Sequence, residues 1–391
     1  MKKKILVVNH QMQLGGVCIA AKSFIENMKD DYEIEYMLAK QNGELDSRIP
    51  NDVKVSYINY PLNVASMSKQ ECKNKGFKYF AKKAYIVLLS RIFGSSYTAK
   101  KICRATKKNK QKYDFLINND MDIMKTNFGA CHAYSKYLVD ANKKCLVIHG
   151  DFIKNNYDKE LFINEIMPAY DNIIVLSNAL KEQIENLFPD AKDKFVSIPN
   201  FSITQEIKNL AEEEEVVFNN GKINIVSASR LTKVKAIMRS LIVFKKLKEE
   251  RFDFCWYILG DGDERQEIEK YIADNGLEEN VVLIGFKSNP YPYIKASNLF
   301  YLGSYHEAAP VVINESLILK TPVLTTRTIS SEEMLNEKYG WICDNDEEGI
   351  YNALKKILSN QKSLKEKVNN LKNYEFDNES IKRKYVELIG R

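Results

Sequence analysis

Residues Leu302–Leu324, LGSYHEAAPVVINESLILKTPVL, decide how this chain is read. Leu299 to Leu302 is a short apolar run that predicts a buried strand. Thr321-Pro322 stops a helical stretch before a second strand, Val323 to Thr325. Between them Pro310 marks the first helical position, where its missing N–H costs nothing and its φ is already helical. Glu307 is therefore expected on a loop and Glu315 about a turn and a half into the helix. In an open parallel sheet ligands collect outside the carboxyl ends of the strands, so both carboxylates face such a crevice. Ionised carboxylates there accept hydrogen bonds from vicinal hydroxyls of a sugar or a ribose.

Upstream, Ile223 to Ala228 predicts another strand, and it runs into Ser229-Arg230-Leu231-Thr232-Lys233-Val234-Lys235-Ala236 ahead of a helical run. Arg230 and Lys235 place two fixed cations at a second strand end, a pairing suited to a diphosphate. Around them strands and helices alternate: Phe254 to Leu259, Glu264 to Asn275, Val281 to Ile284, Tyr291 to Ala296. This alternation predicts a parallel, doubly wound sheet.

The combination resembles the retaining glycosyltransferases of the GT-B fold, family 4. Their pattern is G-R-L-x-x-x-K-G followed about seventy residues later by E-x7-E. Arg230, Leu231, Lys235, Glu307 and Glu315 match it, while Ser229 and Ala236 stand where glycines are usual. Ala236 cannot adopt a positive φ cheaply. The resemblance implies an α/β fold of two doubly wound Rossmann-like domains facing across a cleft. Residues 1–200 would form the acceptor domain, 201–221 a linker, 222–375 the nucleotide-sugar domain, and 376–391 a helix returning to the first domain. It also implies roles. Arg230 and Lys235 would hold the leaving diphosphate, Glu307 the donor sugar and Glu315 the ribose. Ala309, Pro310 and Val311 would offer backbone amides, and Phe286 with Lys287 would lie where the base is read. The nucleotide sugar is a co-substrate, most simply a UDP-sugar, and neither metal nor cofactor is expected.

The chain has 391 residues, 45% hydrophobic and 28% charged, enough for two separate cores. Its mean hydropathy is −0.37. The basic start, MKKKILVVNHQ, has an apolar run of only Ile5 to Val8, too short for an export signal, and reads as a first strand. Seven scattered Cys without a C-x-x-C predict reduced thiols and a cytoplasmic setting. The net charge of +6 is uneven: residues 69–112 carry +13, leaving −7 elsewhere. Phe77 to Phe93, FKYFAKKAYIVLLSRIF, has the composition of a helix lying on the anionic inner face of a membrane, and equally of a core helix with a lysine edge. Nothing in it marks nucleic acid.

In the first half, Gln13-Leu14-Gly15-Gly16-Val17 links a strand, Lys4 to Asn9, to a helix from about Cys18. Such a loop either turns tightly or presents N–H groups to phosphate through Gly15 and Gly16. Tyr32 to Ala39 and Val53 to Ile58 predict further strands with an Asn42-Gly43 turn between them, and Asn219-Asn220-Gly221 closes the linker. Asp120 and Asp122 follow the strand Asp114 to Asn118. This D-x-D recurs at Asp261/Asp263 and Asp344/Asp346, which makes it a cheap pattern for a metal. His149 follows the strand Cys145 to Ile148, and the resemblance makes it the first domain's candidate for contact with the donor sugar. His10, His132 and His306 read as structural.

These features predict transfer of a sugar to a cell-envelope or capsular polysaccharide acceptor, lipid-linked in one form, at the membrane surface. The alternatives are a metal-dependent GT-A-type transferase, a GT-B nucleotide-sugar epimerase or phosphorylase, and a basic peripheral membrane-binding protein that is no enzyme.

Overall fold

A computed structural model describes residues 2–12, 15–41, 43, 48–122, 128–218 and 221–390. The expected turn at Asn42, the loop residues Gln13 and Leu14, and the Asn219-Asn220 turn lie outside the described residues. The chain divides into two units, Met1–Phe201 with Asn378–Arg391, and Ser202–Asp377.

The first unit holds β1 (Lys4–Asn9), β2 (Glu33–Leu38), β3 (Lys54–Tyr57), β4 (Lys112–Asn118), β5 (Asp140–Ile148), β6 (Asn172–Val175) and β7 (Phe195–Ser197). They form one parallel sheet in the order β3-β2-β1-β4-β5-β6-β7. The interior strand β1 is apolar without alternation, as expected of a strand covered on both faces. In β1, Ile5 through Val8 are wholly buried. The Asn378–Gly390 helix closes this unit. Its Ile381, Tyr385, Leu388 and Ile389 are buried, each worth about 1.5–3 kcal/mol. Tyr385 stacks on Phe201 at 5.5 Å and meets the edge of Phe24 at 4.9 Å. The carbonyls of Ile389 and Leu388, orphaned at the helix end, accept from Lys3 (3.2 Å) and Lys143 (2.9 Å).

The Phe77–Arg104 helix of the same unit is broken at Gly94, where φ is 81°. Before the break Ile86 and Leu89 point inward, whereas Phe77, Tyr85, Leu88 and Ile92 lie on the outer side, Phe77 85% exposed. Lys78, Lys82 and Arg91 flank this stripe, and Phe93 and Tyr97 continue it past the break. No helix among the described residues is long and apolar enough to cross a membrane.

The second unit holds β8 (Ile223–Ala228), β9 (Phe254–Leu259), β10 (Val281–Gly285), β11 (Leu299–Leu302), β12 (Val323–Thr326) and β13 (Gly340–Cys343). These too are all parallel, in the order β10-β9-β8-β11-β12-β13. The four-residue β13, GWIC, gives too short an apolar run to be read from sequence. The segment after Phe201 is more than a connector. Thr204–Leu210 is a helix, and Ile207 and Ala211 enter the core with Leu317 and Leu371. On the opposite side of the sheet, Phe244 stacks on Trp256 at 4.3 Å. Trp256 donates to Ser227 Oγ (2.9 Å), which donates to the Tyr301 carbonyl (2.6 Å), so a buried polar chain ties β9 to β8 and β8 to β11.

Candidate active site

β8 lies between β9 and β11, so the chain leaves its carboxyl end on one side and the β11 loop departs on the other. A doubly wound sheet opens its ligand crevice at such a switch point. The two loops that border it are 229–236 and 303–310, the stretches carrying Arg230, Lys235, Glu307, Ala309 and Pro310. They touch. Tyr305 N–H donates to the Val234 carbonyl at 2.9 Å, and Lys235 Nζ lies 2.6 Å from Glu307 Oε1.

Each loop is held by its own sequence. Lys233–Lys235 makes one 3₁₀ turn, and Ala236 then bends the chain into the Ile237–Glu249 helix at φ 53°, ψ 38°. A left-handed alanine costs about 1–2 kcal/mol, the penalty expected where a glycine is usual. In the other loop Gly303 must be glycine, because a Cβ there would lie 2.2 Å from Tyr301 Oη. Fully buried Ser304 donates to Glu307 Oε1 at 2.6 Å. Glu307 Oε1 thus has two donors, while no bond to its Oε2 exists among the described residues.

Arg239 organises this loop from behind, and sequence reading missed it. It is 7% exposed and has no acidic partner among the described residues. Its Nη2 donates to the Gly303 carbonyl (2.6 Å) and to Asn345 Oδ1 (2.8 Å), and its Nη1 donates to the Asn345 carbonyl (3.0 Å). Its guanidinium also covers the Tyr305 ring at 4.2 Å. The available signal was a lone cation inside the apolar run Ile237-Met238-Arg239-Ser240-Leu241-Ile242.

Arg230 is exposed, and its guanidinium has no ion-pair partner among the described residues. The Val311–Ile318 helix opens one residue later than the sequence suggests. Pro310 is extended (ψ 105°) and caps it, while its carbonyl accepts from Ile313 N–H at 3.1 Å. This helix brings its unpaired N–H groups to the same loop. Glu315 is 5% exposed and accepts from Tyr291 Oη at 3.0 Å. Burial pushes its carboxyl up to about 7, against the lowering effect of the Tyr291 bond. The two glutamates therefore differ: Glu307 is paired with an ammonium, and Glu315 is a buried carboxyl accepting from a phenol.

Phe286 and Lys287 follow β10, two strands from β8. Phe286 is 55% exposed, and Lys287 Nζ sits 5.3 Å from the Tyr293 ring centre. Two of the D-x-D pairs serve local structure. Asp346 caps the Glu347–Ser359 helix by accepting from Gly349 N–H (2.7 Å), and Asp261 accepts from Gly262 N–H (2.8 Å) and pairs with Arg265 (3.4 Å).

In the first unit, Gly15 caps the Gly16–Met28 helix by accepting from Cys18 and Ile19 N–H, both at 3.1 Å, and Gly16 is exposed. His149 directly follows β5, where its Nε2 is buried without a partner among the described residues. Desolvation lowers its pKa to about 4, so the ring is neutral. His132 is a core residue, its Nδ1 3.2 Å from Tyr170 Oη.

Residues 208–375 match the family model described as Glycosyl transferases group 1. An uncharacterized glycosyltransferase of Methanocaldococcus jannaschii is 30% identical over 190 residues, 45% of this chain and 47% of that protein. The N-acetylgalactosamine-N,N'-diacetylbacillosaminyl-diphospho-undecaprenol 4-alpha-N-acetylgalactosaminyltransferase of Campylobacter jejuni is 28% identical over 220 residues, 55% of this chain and 59% of that protein. The chain thus spans about half the length of these curated relatives. Among solved structures, Anabaena HepE in complex with UDP and glucose superposes with a TM-score of 0.70 at 14% identity, covering 99% of both chains. Staphylococcus aureus TarM superposes at 0.67 with 17% identity, over 100% of this chain and 99% of that one. Both likenesses establish the fold, two Rossmann-like parallel-sheet domains. The second unit carries the family match, and the stretch matched as Glycosyl transferases group 1 contains both loops of the Lys235–Glu307 pair.

Proposed function

We propose that this chain is a glycosyltransferase that moves a sugar, with retention, from a nucleotide-diphosphate sugar, most simply a UDP-sugar, to a cell-envelope saccharide acceptor. The observation that carries the reading is the 2.6 Å Lys235–Glu307 pair at the β8–β11 switch point. Transfer builds positive charge on the sugar's C1 and negative charge on the departing diphosphate. Arg230 and Lys235 would neutralise that diphosphate, aided by the first N–H groups of the Val311–Ile318 helix. Glu307, with an oxygen left over, would accept from donor-sugar hydroxyls. Glu315 would accept from the ribose. With two cations in place the diphosphate needs no metal, so adding Mg²⁺ or Mn²⁺ should leave the rate unchanged. His149 in the first unit, neutral and with its Nε2 lacking a partner among the described residues, is the candidate there for a hydrogen bond to the sugar.

The exposed Phe77–Tyr97 stripe supports a second part of the reading, attachment to an anionic membrane surface. Apolar groups would enter the acyl boundary while Lys78, Lys82 and Arg91 meet lipid phosphates. Such placement suits a lipid-linked acceptor. The relatives support the acceptor class: one is named for a diphospho-undecaprenol substrate, and one in Staphylococcus aureus is a poly(ribitol-phosphate) alpha-N-acetylglucosaminyltransferase. The test is a melting-shift screen against UDP, GDP, ADP and CMP, then hydrolysis assays with sugars of the nucleotide that binds. A rise of several degrees with UDP and release of UDP from one of its sugars is the expected result. No shift with any of the four refutes the reading.

A further inference from the structure

The carboxyl edge of the first sheet gathers side chains that the proposed transfer does not use. β1 lies between β2 and β4, so the loops after β1 and β4 border a switch point of their own. The first loop supplies His10, and the second supplies Asp120 and Asp122. Cys131 stands in the first turn of the Ala130–Tyr137 helix. One ligating atom from each of His10, Asp122 and Cys131 lies within 4.8 Å of the others. Asp120 joins them, accepting from the His10 backbone N–H at 2.5 Å.

This arrangement is built into the backbone. The Asp122 carboxylate accepts from the N–H groups of Cys131 (3.0 Å) and His132 (3.1 Å). A Cβ at Gly129 would lie 1.7 Å from Asp122 Cγ, so only glycine lets the carboxylate sit there. Cys131 is fully buried. No Lys or Arg among the described residues pairs with either aspartate. Lys40, whose charge reaches His10, spends its ammonium on both oxygens of Glu71, each at 3.0 Å. Beside the two aspartates, Asn9 Oδ1 and Asn119 Nδ2 are buried without partners among the described residues, the residues being 1% and 5% exposed. Partly buried acids with no cation paired to them among the described residues are held at a cost unless they are protonated or coordinate a metal.

We propose that His10, Asp122 and Cys131 form a binding site for a zinc-class divalent ion, with Asp120 at hand as a fourth donor. An imidazole nitrogen, a carboxylate oxygen and a thiolate sulfur suit Zn²⁺, whereas the thiolate disfavours Mg²⁺ and Mn²⁺. Bonds of about 2.0–2.3 Å set tetrahedral ligand atoms roughly 3.3–3.8 Å apart, so the three side chains close by about 1 Å on binding. The Cys131 proton leaves to solvent, and the thiolate takes its place on the metal. The ion would tie the loop after β1 to the loop after β4 and to the helix that follows it. All its ligands belong to the first unit, and all members of the Lys235–Glu307 site to the second, so the two proposals stand or fall separately.

The test uses the full chain, stripped with a chelator and titrated with cobalt(II), then with zinc(II) in competition. We expect one equivalent of cobalt to give a thiolate-to-cobalt charge-transfer band that zinc abolishes. Cys131→Ser should lose that band and bind zinc about tenfold or more weakly. His10→Gln should keep the band and also weaken zinc binding. Absence of the band in the unaltered chain, or its persistence in Cys131→Ser, overturns the proposal. Should Cys131→Ser not fold, His10→Gln decides alone, because His10 is only partly buried, and unchanged zinc affinity in that variant overturns the proposal.

Discussion

Replacing Lys235 by alanine separates its two jobs, because in the free protein the ammonium neutralises Glu307 and in the complex it would also meet phosphate. The pair is partly buried, with side-chain exposures of 20% for Lys235 and 12% for Glu307. Removing the lysine leaves Glu307 with one donor, the Ser304 hydroxyl. A half-pair in that setting costs about 1–3 kcal/mol, less than the full penalty of a dry interior. The second unit should therefore still fold, with a lower melting temperature. A charge-assisted bond to phosphate is worth about 1.5–3 kcal/mol, or roughly 10- to 150-fold in UDP affinity. Its strengthening as the leaving group gains charge adds a loss of about 10²–10³ in turnover. Calorimetric titration with UDP and initial rates of UDP release measure the two effects. The double variant Lys235→Ala/Glu307→Gln supplies the control, since it removes the stranded carboxylate. Stability should return in it and UDP affinity should not. Unchanged UDP binding in Lys235→Ala, or full recovery of binding in the double variant, would refute the phosphate role.

Ala236→Gly should relieve the left-handed strain and raise stability by about 1 kcal/mol, read as a higher denaturant midpoint with an unchanged slope. Glu315 has a folded pKa near 7, above its unfolded value, so the folded state holds an extra proton between roughly pH 4.5 and 7. Stability contributed by the neutral acid is thus full below that window and lost through it as pH rises, by roughly 3 kcal/mol. Glu315→Gln should flatten this slope in denaturant titrations across pH 4–8, and an unchanged slope counts against the assignment. Arg239→Met removes three hydrogen bonds to loop carbonyl oxygens and should destabilise the second unit by about 3–5 kcal/mol. A midpoint within experimental error of the parent would show that the guanidinium is dispensable. Replacing Lys78, Lys82 and Arg91 by glutamine should weaken binding to anionic vesicles a hundredfold or so, at about 1 kcal/mol per charge, and equal binding to neutral and anionic vesicles would remove the membrane reading.

Some of this was legible in the chain and some was not, for physical reasons. Strands buried on both faces announce themselves as unbroken apolar runs, so β1, β8, β9 and β11 could be read along with the fold class. β13 could not, since four residues with a glycine and a tryptophan carry no period. The order of strands is a different kind of fact. That β8 neighbours both β9 and β11 is decided by pairing between residues about thirty and about seventy positions apart, and local propensity holds no trace of it. Phe77–Phe93 shows the same limit from another side. Composition supplied apolar groups on several faces, but only packing determined that Ile86 and Leu89 turn inward while Phe77, Leu88 and Ile92 face out.

Arg239 makes the limit sharpest. A buried guanidinium without an acid looks like an error in a helix whose neighbours are apolar, and local reasoning would place it on a solvated face. It is stable because two loops, at Gly303 and Asn345, turn carbonyl oxygens toward it. The cation thereby fixes the backbone from which Ser304 and Glu307 project, and Glu307 in turn fixes Lys235. The visible charges of the candidate site are thus positioned by a charge that lies one layer beneath them. Two of its three hydrogen bonds end on main-chain oxygens, and main-chain atoms leave no signature in a sequence.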